Sequence, residues 1–175
     1  MQIAILTISD RASRGQYEDL SGPAIEEWLR EMIVSPFETV RWIVPDGFGP
    51  VCDALVALCD EQCVDLILTT GGTGPSPRDE TPEAMHAVMA KELPGFGEQL
   101  RRASLAQTPT AILSRQTAGT RGRTLIVNLP GKPTSIRVSL NAVFPAVPYC
   151  LDLIGAGRIE TDPTRLKTFR PVSPA

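Results

Sequence analysis

The sequence has few of the residues that build metal centres and nucleophilic triads. It contains one histidine and four cysteines among 175 residues, and the cysteines show no Cys-x2-Cys spacing. His86 lies in a stretch from Pro82 to Met89 without a second histidine or cysteine, so we interpret it as a helix residue. The sequence therefore supports neither a zinc site nor a histidine-based triad.

The chain also lacks an excess of positive charge and any long apolar run. Its 17 basic and 20 acidic residues give a net charge of −3, whereas nucleic-acid phosphates select basic surfaces. No apolar run approaches the roughly 20 residues of a membrane span. Met1-Gln2-Ile3 leads into a short apolar run without a basic signal-peptide region. We therefore expect a cytoplasmic protein that binds neither nucleic acid nor membrane.

Strands and helices alternate along most of the chain. Apolar runs predict buried strands over residues 3–8, 37–44 and 124–128 and from Leu66 onward. Helical spacing or start signals predict helices over residues 51–62, 82–89, 135–143 and 147–154, and a stripe at Ile25, Trp28, Leu29 and Met32 predicts another after a Ser21 cap. Residues 117–122 look like a polar, mobile connection. The alternation predicts an α/β fold with a largely parallel sheet.

The composition is typical of one globular domain. The chain is 42% hydrophobic and 21% charged, and it is long enough to bury a substantial core. We assign residues 1–154 to a ligand-binding α/β domain. Residues 155–175 have no clear hydrophobic period and are predicted to form an extended C-terminal tail, packed on the body or on a neighbour.

A glycine-rich turn between the Leu66 strand and a helix start at Thr81 is the main functional signal. Glycines without a Cβ let backbone N–H groups approach an anion, and threonines add hydroxyl donors. The candidate phosphate-binding residues are Thr70, Gly71, Gly72, Thr73 and Gly74. The pattern fits neither the P-loop nor the dinucleotide fingerprint. A turn that merely ends a strand is the structural alternative.

Two aspartates are the candidate catalytic residues. Ligands of parallel sheets gather beyond the carboxyl ends of strands, where Ser9-Asp10, Pro45-Asp46 and the glycine turn are expected to meet. Asp79 follows the turn, and a carboxylate among phosphates is favourable only with a divalent cation between them. Asp46 and Asp79 are therefore candidate Mg²⁺ ligands. For Asp46 alone, a turn-forming role in Pro-Asp-Gly is the competing interpretation.

A second turn from strand to helix carries further candidates. Residues 129–135 contain Gly131, Lys132 and Ser135, which suit an anion at a helix N-terminus. Arg115 and Lys132 are equally compatible with a solvated surface.

The order of these motifs resembles the adenylyltransferase branch of the bacterial molybdenum-cofactor biosynthesis domain family. The matching segments are residues 9–13, 19–23, 45–46, 69–79, 94–98, 113–116 and 128–131. The resemblance implies a three-layer α/β fold and a homotrimer. It also implies transfer of AMP from MgATP to the terminal phosphate of molybdopterin, and hand-over to a molybdenum insertion protein.

Carried onto this sequence, the resemblance assigns site residues in three groups. Asp46 and Asp79 would hold Mg²⁺. Ser9, Asp10 and the residues from Thr70 to Gly74 would meet the nucleotide. The pterin side would involve Ser114, Arg115, Gly131 and Ser135.

Two other functions stay open on the sequence alone. One is a molybdopterin-binding or assembly protein of the same fold without catalysis. The other is an unrelated nucleotide or sugar-phosphate enzyme that uses the same kind of cradle at its strand ends.

Overall fold

The structure is a computed structural model that describes residues 1–171. Its strands are β1 (Gln2–Ile8), β2 (Glu38–Val44), β3 (Leu66–Thr70), β4 (Lys91–Glu92), β5 (Ala118–Arg121) and β6 (Thr124–Leu129). Its helices are α1 (Asp10–Ser13), α2 (Ser21–Met32), α3 (Phe48–Val56), α4 (Thr81–Val88), α5 (Pro94–Leu105), α6 (Pro133–Val143) and α7 (Val147–Ile154). A π-helical turn over Ala57–Glu61 extends α3, and short 3₁₀ helices cover Pro109–Leu113 and Phe144–Ala146.

The strands form one six-stranded sheet in the order β2-β1-β3-β6-β5-β4. The first four strands of this order run parallel, and β5 and β4 add two antiparallel pairings at one side. Strands β3 and β6 are buried at every residue, as expected for apolar strands that are covered on both faces. The predicted α/β fold with a largely parallel sheet is confirmed.

Helices cover both faces of the sheet. One apolar core joins alternate residues of β1, β3 and β6 to α2, α5, α6 and α7, and a second joins the intervening residues to α3 and α4. This division follows from the two-residue period of side chains along a strand. The result is the three-layer sandwich that the sequence resemblance implied.

The prediction of a mobile connection over residues 117–122 is wrong. Residues 118–121 form β5, which pairs with β6, and Ala118 and Thr120 are buried. The segment carries no apolar alternation because its residues are small or polar. A Cβ on Gly119 would lie 2.2 Å from the sulfur of Met89, so this strand position accommodates only glycine without rearrangement.

The residues beyond α7 that the structure describes pack on the body of the protein. Ile159 is fully buried, and the backbone around Glu160 and Thr161 bonds to the end of α2. Arg170 forms an ion pair with Asp152 of α7. Residues 172–175 of the predicted tail lie outside the described residues, and the division into a domain and a tail stays a prediction.

A helix that crosses a bilayer must be both long and apolar. Within residues 1–171, no helix has both the length and the apolarity that this requires.

Candidate active site

The carboxyl ends of the four parallel strands meet at one edge of the sheet. The chain leaves β1 at Ser9, β2 at Pro45, β3 at Gly71 and β6 at Pro130. Strand order reverses here, since β2 lies on one side of β1 and β3 lies on the other. Such a reversal opens a crevice beyond the strand ends, which is where ligands of open α/β sheets bind.

A cleft of about 140 Å³ occupies this crevice. Four of the residues predicted from sequence line it together: Ser9, Thr70, Gly71 and Gly131. Arg11 and Tyr17 also line the cleft, with the Arg11 guanidinium 5.1 Å from the centre of the Tyr17 ring. The cleft therefore combines backbone turns at its base with a cation and an aromatic ring.

The glycine turn after β3 requires glycine for steric reasons. Gly71 has a φ of 107° and Gly72 a φ of 61°, which are values that other residues rarely adopt. A Cβ on Gly71 would lie 2.1 Å from the carbonyl oxygen of Ile8, and one on Gly72 would lie 2.1 Å from Oγ1 of Thr81. The turn thus brings its backbone against the end of β1 and the start of α4.

The glycine turn presents a run of backbone donors. Within residues 1–171, the N–H groups of Gly72, Thr73 and Gly74 donate no hydrogen bond. The Thr70 hydroxyl, in contrast, donates to the carbonyl oxygen of Pro130 at 2.8 Å. Unpaired N–H groups in consecutive residues of a turn form an anion-binding concavity, so the geometry suits a phosphate.

Asp46 and Asp10 lie together at the ends of β2 and β1. The Asp46 carboxylate accepts a hydrogen bond from the Asp10 N–H at 2.7 Å. The Asp10 carboxylate in turn accepts two hydrogen bonds from Arg78, from Nε at 3.1 Å and from Nη2 at 2.9 Å. The hydrogen bonds from Arg78 hold the pKa of the Asp10 carboxyl below its usual value.

Asp79 lies in the loop between the glycine turn and α4. Its carboxylate accepts a hydrogen bond from the Ser76 N–H at 3.2 Å, and its own N–H donates to the Ser76 carbonyl at 2.9 Å. It lines a second cleft of about 420 Å³ together with Glu83 and Arg115, not the cleft of Ser9 and Gly131. Asp46 lines neither of these clefts, and the neighbouring Arg78 links the Asp79 loop to it by donating to the Asp46 carbonyl oxygen at 2.6 Å.

Arg115 holds the loop that carries Asp79. Its N–H donates to the Thr73 carbonyl at 2.9 Å, and its Nε donates to the Gly74 carbonyl at 3.0 Å. The same guanidinium reaches the Asp79 carbonyl and the Glu83 carboxylate. The hydrogen-bond donors of Arg115 are therefore engaged by the glycine turn, the loop that carries Asp79, and Glu83.

Two further predicted residues, Ser114 and Ser135, do not line the strand-end cleft. Ser114 donates its hydroxyl hydrogen to Oε1 of Gln116 at 2.8 Å. Ser135 lies in the first turn of α6 and does not line the strand-end cleft, although Pro133 of the same turn does.

The acidic residues suit a magnesium ion shared with substrate. Within residues 1–171, no group of three or more histidine, cysteine or acidic residues is arranged to hold a metal. Mg²⁺ is commonly bound by one or two carboxylates together with substrate phosphates and water. Asp46 and Asp79 each keep one carboxylate oxygen that accepts no hydrogen bond from the described part of the chain. This donor set fits Mg²⁺ bound alongside phosphates.

Most of the chain matches one protein family. Residues 4–149 match the family described as "Probable molybdopterin binding domain". The chain belongs to this family.

Curated members of the molybdopterin-binding family match nearly the whole chain. The molybdopterin adenylyltransferase of Helicobacter pylori is 53% identical over 171 residues, which cover 98% of this chain and 97% of the relative. The molybdopterin adenylyltransferase of Escherichia coli is 45% identical, and the match covers 99% of this chain and 95% of the relative.

Solved structures of the family share the fold. The molybdopterin biosynthesis enzyme MoaB from Thermus thermophilus has a TM-score of 0.82 and 44% identity, covering 91% of this chain and 99% of that chain. The molybdopterin biosynthesis Mog protein from Mycobacterium ulcerans has a TM-score of 0.79 and 45% identity, covering 87% and 98% respectively.

The residues that the sequence analysis missed include Arg11, Tyr17 and Asp19, which line the strand-end cleft, and Arg78, which contacts Asp10 and Asp46. Asp19, rather than the predicted Ser21, caps α2, because its carboxylate accepts the N–H groups of Ser21 and Gly22. The Ser21 hydroxyl instead donates to the Gly131 carbonyl at 3.1 Å. An aspartate shortly before Ser-Gly-Pro at a helix start was the available signal. Arg78 was also missed, and only its position beside Asp79 could have indicated it.

Proposed function

We propose that the protein is a molybdopterin adenylyltransferase of molybdenum-cofactor biosynthesis. In this reaction AMP passes from MgATP to the terminal phosphate of molybdopterin, and pyrophosphate is released. The observation that carries the proposal is the glycine turn at the strand reversal, where the N–H groups of Gly72, Thr73 and Gly74 donate no hydrogen bond within residues 1–171. Near-full-length relatives named for this activity support it.

The chemistry is an in-line displacement at the α-phosphorus of ATP. An oxygen of the molybdopterin phosphate forms the new bond to phosphorus, and the bond to the bridging oxygen of pyrophosphate breaks. The attacking phosphate is already an anion, so the reaction needs no strong general base. Catalysis therefore depends on positioning and on neutralising charge.

Different residues of the chain bind the nucleotide phosphates, shape the cleft and hold the metal ion. The N–H groups of Gly71 to Gly74 cradle phosphate oxygens, and the Thr73 hydroxyl adds a donor. Ser9 and Asp10 shape the neighbouring edge of the cleft, at the end of β1. Asp46 and Asp79 would hold Mg²⁺, which when bound neutralises the phosphate charge.

The pterin side of the site lies towards β5 and β6. Gly131 lines the strand-end cleft, and Ser135 follows it in the first turn of α6. Ser114 and Arg115 approach the Asp79 loop from the segment before β5. We assign molybdopterin to this side because the glycine turn is then left free to bind the nucleotide.

The proposal extends to assembly and location. We propose a homotrimer in the cytoplasm that passes its product to the molybdenum insertion protein. Light scattering coupled to gel filtration measures the trimer directly, and a mass of one or two chains of 18.9 kDa would contradict it.

The decisive experiment is an assay of pyrophosphate release. Purified protein is incubated with ATP and Mg²⁺, with and without molybdopterin, and we expect release only when molybdopterin is present. Binding of molybdopterin without release would identify a carrier or assembly protein of the same fold. Thermal stabilisation by a sugar phosphate but not by molybdopterin would identify an unrelated phosphate enzyme.

A further inference from the structure

Arg78 makes an unusual set of contacts for an exposed side chain. It lies in the loop that joins the glycine turn to α4, and its side chain is 60% exposed. Its guanidinium nevertheless donates to the Asp10 carboxylate through Nε and Nη2, and to the Asp46 carbonyl oxygen at 2.6 Å. One side chain thus reaches segments that follow two different strands, β1 and β2.

These contacts form a closed network. The Asp10 carboxylate accepts a hydrogen bond from Arg78, and the Asp10 N–H donates one to the Asp46 carboxylate at 2.7 Å. An exposed ion pair alone contributes little to stability. A planar guanidinium that binds a carboxylate with two donors and a carbonyl with a third fixes orientation, however. The network is therefore better suited to positioning than to stabilising the fold.

The loop held by Arg78 carries Asp79 as its next residue. Arg115 and the Ser76 N–H hold the opposite side of this loop, through the Gly74 and Asp79 carbonyls and the Asp79 carboxylate. Release of Arg78 would leave one side-chain hydrogen bond on the β2 side, from the Phe48 N–H to the Glu80 carboxylate at 3.0 Å. The separation of Asp79 from Asp46 would then be held less firmly, because the contacts to Asp10 and to the Asp46 carbonyl would be lost.

We infer that Arg78 is a positioning residue for adenylyl transfer. Through its contact with Asp10, it fixes the positions of Asp46 and Asp79 on either side of one nucleotide. The inference rests on the proposed function. It assigns Asp10 to the same network, as the acceptor through which Arg78 reaches the β1 end. Arg78 does not need to touch substrate to act in this way.

The test compares Arg78→Ala, Arg78→Lys, Asp10→Asn and the double variant Arg78→Ala/Asp10→Asn in the pyrophosphate-release assay. The matched control is Arg14→Ala. Arg14 also lies 3.7 Å from the Asp10 carboxylate, but it follows the last residue of α1 and, within residues 1–171, forms no hydrogen bond or ion pair with the Asp79 loop. Thermal melting checks that every variant is folded.

We expect Arg78→Ala to lower kcat by roughly ten- to a hundredfold, because small misplacements of reacting groups have effects of this size. The KM for molybdopterin should stay within about twofold of wild type, and Arg78→Lys should recover part of kcat by pairing with Asp10. The double variant should be no worse than Arg78→Ala, since both changes remove one network. Arg14→Ala should behave as wild type.

A second measurement does not depend on activity. Hydrogen–deuterium exchange should accelerate in the peptide over residues 73–80 in Arg78→Ala and in Asp10→Asn, and not in Arg14→Ala.

Several outcomes would overturn the inference. These are an unchanged kcat in Arg78→Ala, additive losses in the double variant, or a rise in the KM for ATP alone, which would show direct contact with substrate. Unchanged exchange over residues 73–80 would also overturn it. Wild-type protein that releases no pyrophosphate would overturn the proposed function itself, and the inference with it.

Discussion

Hydroxyl and carboxylate side chains around the strand-end cleft mostly bind the backbone of neighbouring turns. Thr70 donates to Pro130, Ser21 donates to Gly131, and Asp19 accepts the first N–H groups of α2. The first two bonds tie the turn after β6 to the end of β3 and to the start of α2. The N–H groups of Gly72, Thr73 and Gly74, which donate no hydrogen bond within residues 1–171, are left for an anion.

Gly71 provides the sharpest test of the turn. Gly71→Ala places a Cβ 2.1 Å from the Ile8 carbonyl at a φ of 107°, so we expect destabilisation beyond the roughly 1–3 kcal/mol of backbone strain alone. Gly122→Ala is the control, because Gly122 has a φ of 55° but open space around its Cβ position. It should lose only about 1–2 kcal/mol. Urea unfolding measures both, and equal losses would contradict the proposed close approach.

Asp79→Asn tests the proposed metal ligand. The change removes the charge while keeping the size of the side chain, so we expect pyrophosphate release to be abolished and molybdopterin binding to be retained. The control is Asp53→Asn, which removes a charge from the exposed surface of α3. Calorimetric titration with molybdopterin accompanies the assay. A wild-type rate in Asp79→Asn would remove Asp79 from the mechanism.

At the scale of elements, the chain after α7 contributes to the core. Its apolar residues lack a regular period, yet Ile159 is fully buried and Leu166 is nearly so. Backbone bonds of this segment to the end of α2 align it without a helix or a long strand. Irregular segments can therefore fill a core when a neighbouring element supplies their hydrogen bonds.

Ile159→Ala measures this contribution. Truncating a fully buried isoleucine should lower the free energy of unfolding by about 2–5 kcal/mol, through lost burial and a residual cavity. Phe169→Ala is the control from the same segment, because Phe169 is 70% exposed, and it should change stability by less than about 0.5 kcal/mol. Chemical denaturation compares the two. An effect of Ile159→Ala as small as that of the control would show that this segment does not support the core.

Across the whole molecule, Asp65 joins the start of β1 to the segment that follows α7. Its buried carboxylate accepts the N–H groups of Gln2 and Gly157, at 2.9 and 2.8 Å, and pairs with Arg123. Burial opposes ionisation, but the hydrogen bonds and the arginine outweigh it and hold the pKa of Asp65 below its usual value. The first strand and the last segment are thereby linked through one side chain.

The stability of the protein should depend on this carboxylate in acid. Because the folded pKa is depressed, the stabilisation is fully present above the unfolded pKa of about 3.9 and is lost as pH falls through the folded value. Asp65→Asn should therefore lower the free energy of unfolding at pH 7, by roughly 1–3 kcal/mol. The difference from wild type should shrink as pH falls below about 4. Denaturation at pH 7 and at low pH measures it, and a difference independent of pH would contradict the ionic role.

Most of the architecture was predictable because it depends on local patterns. Apolar runs such as those of β1 and β6, and the helical stripe at Ile25 and Trp28, determine strand or helix within a few residues. The strand β5 was not predictable, because its small residues carry no period and its burial comes from pairing with β6. Residue types at the strand ends likewise indicated a phosphate site, and the roles assigned to those residues stay predictions.

The α/β alternation and the glycine-rich turn at a strand end follow from local patterns in the chain, namely backbone sterics and periods of two to four residues. Which polar groups bind one another depends instead on the folded arrangement of the strands. Arg78, Asp10 and Asp46 lie far apart in sequence and come together only because β1 and β2 are neighbours in the sheet. Hydrogen bonding acts over about 3 Å, so such partnerships depend on the strand order, which no local pattern encodes.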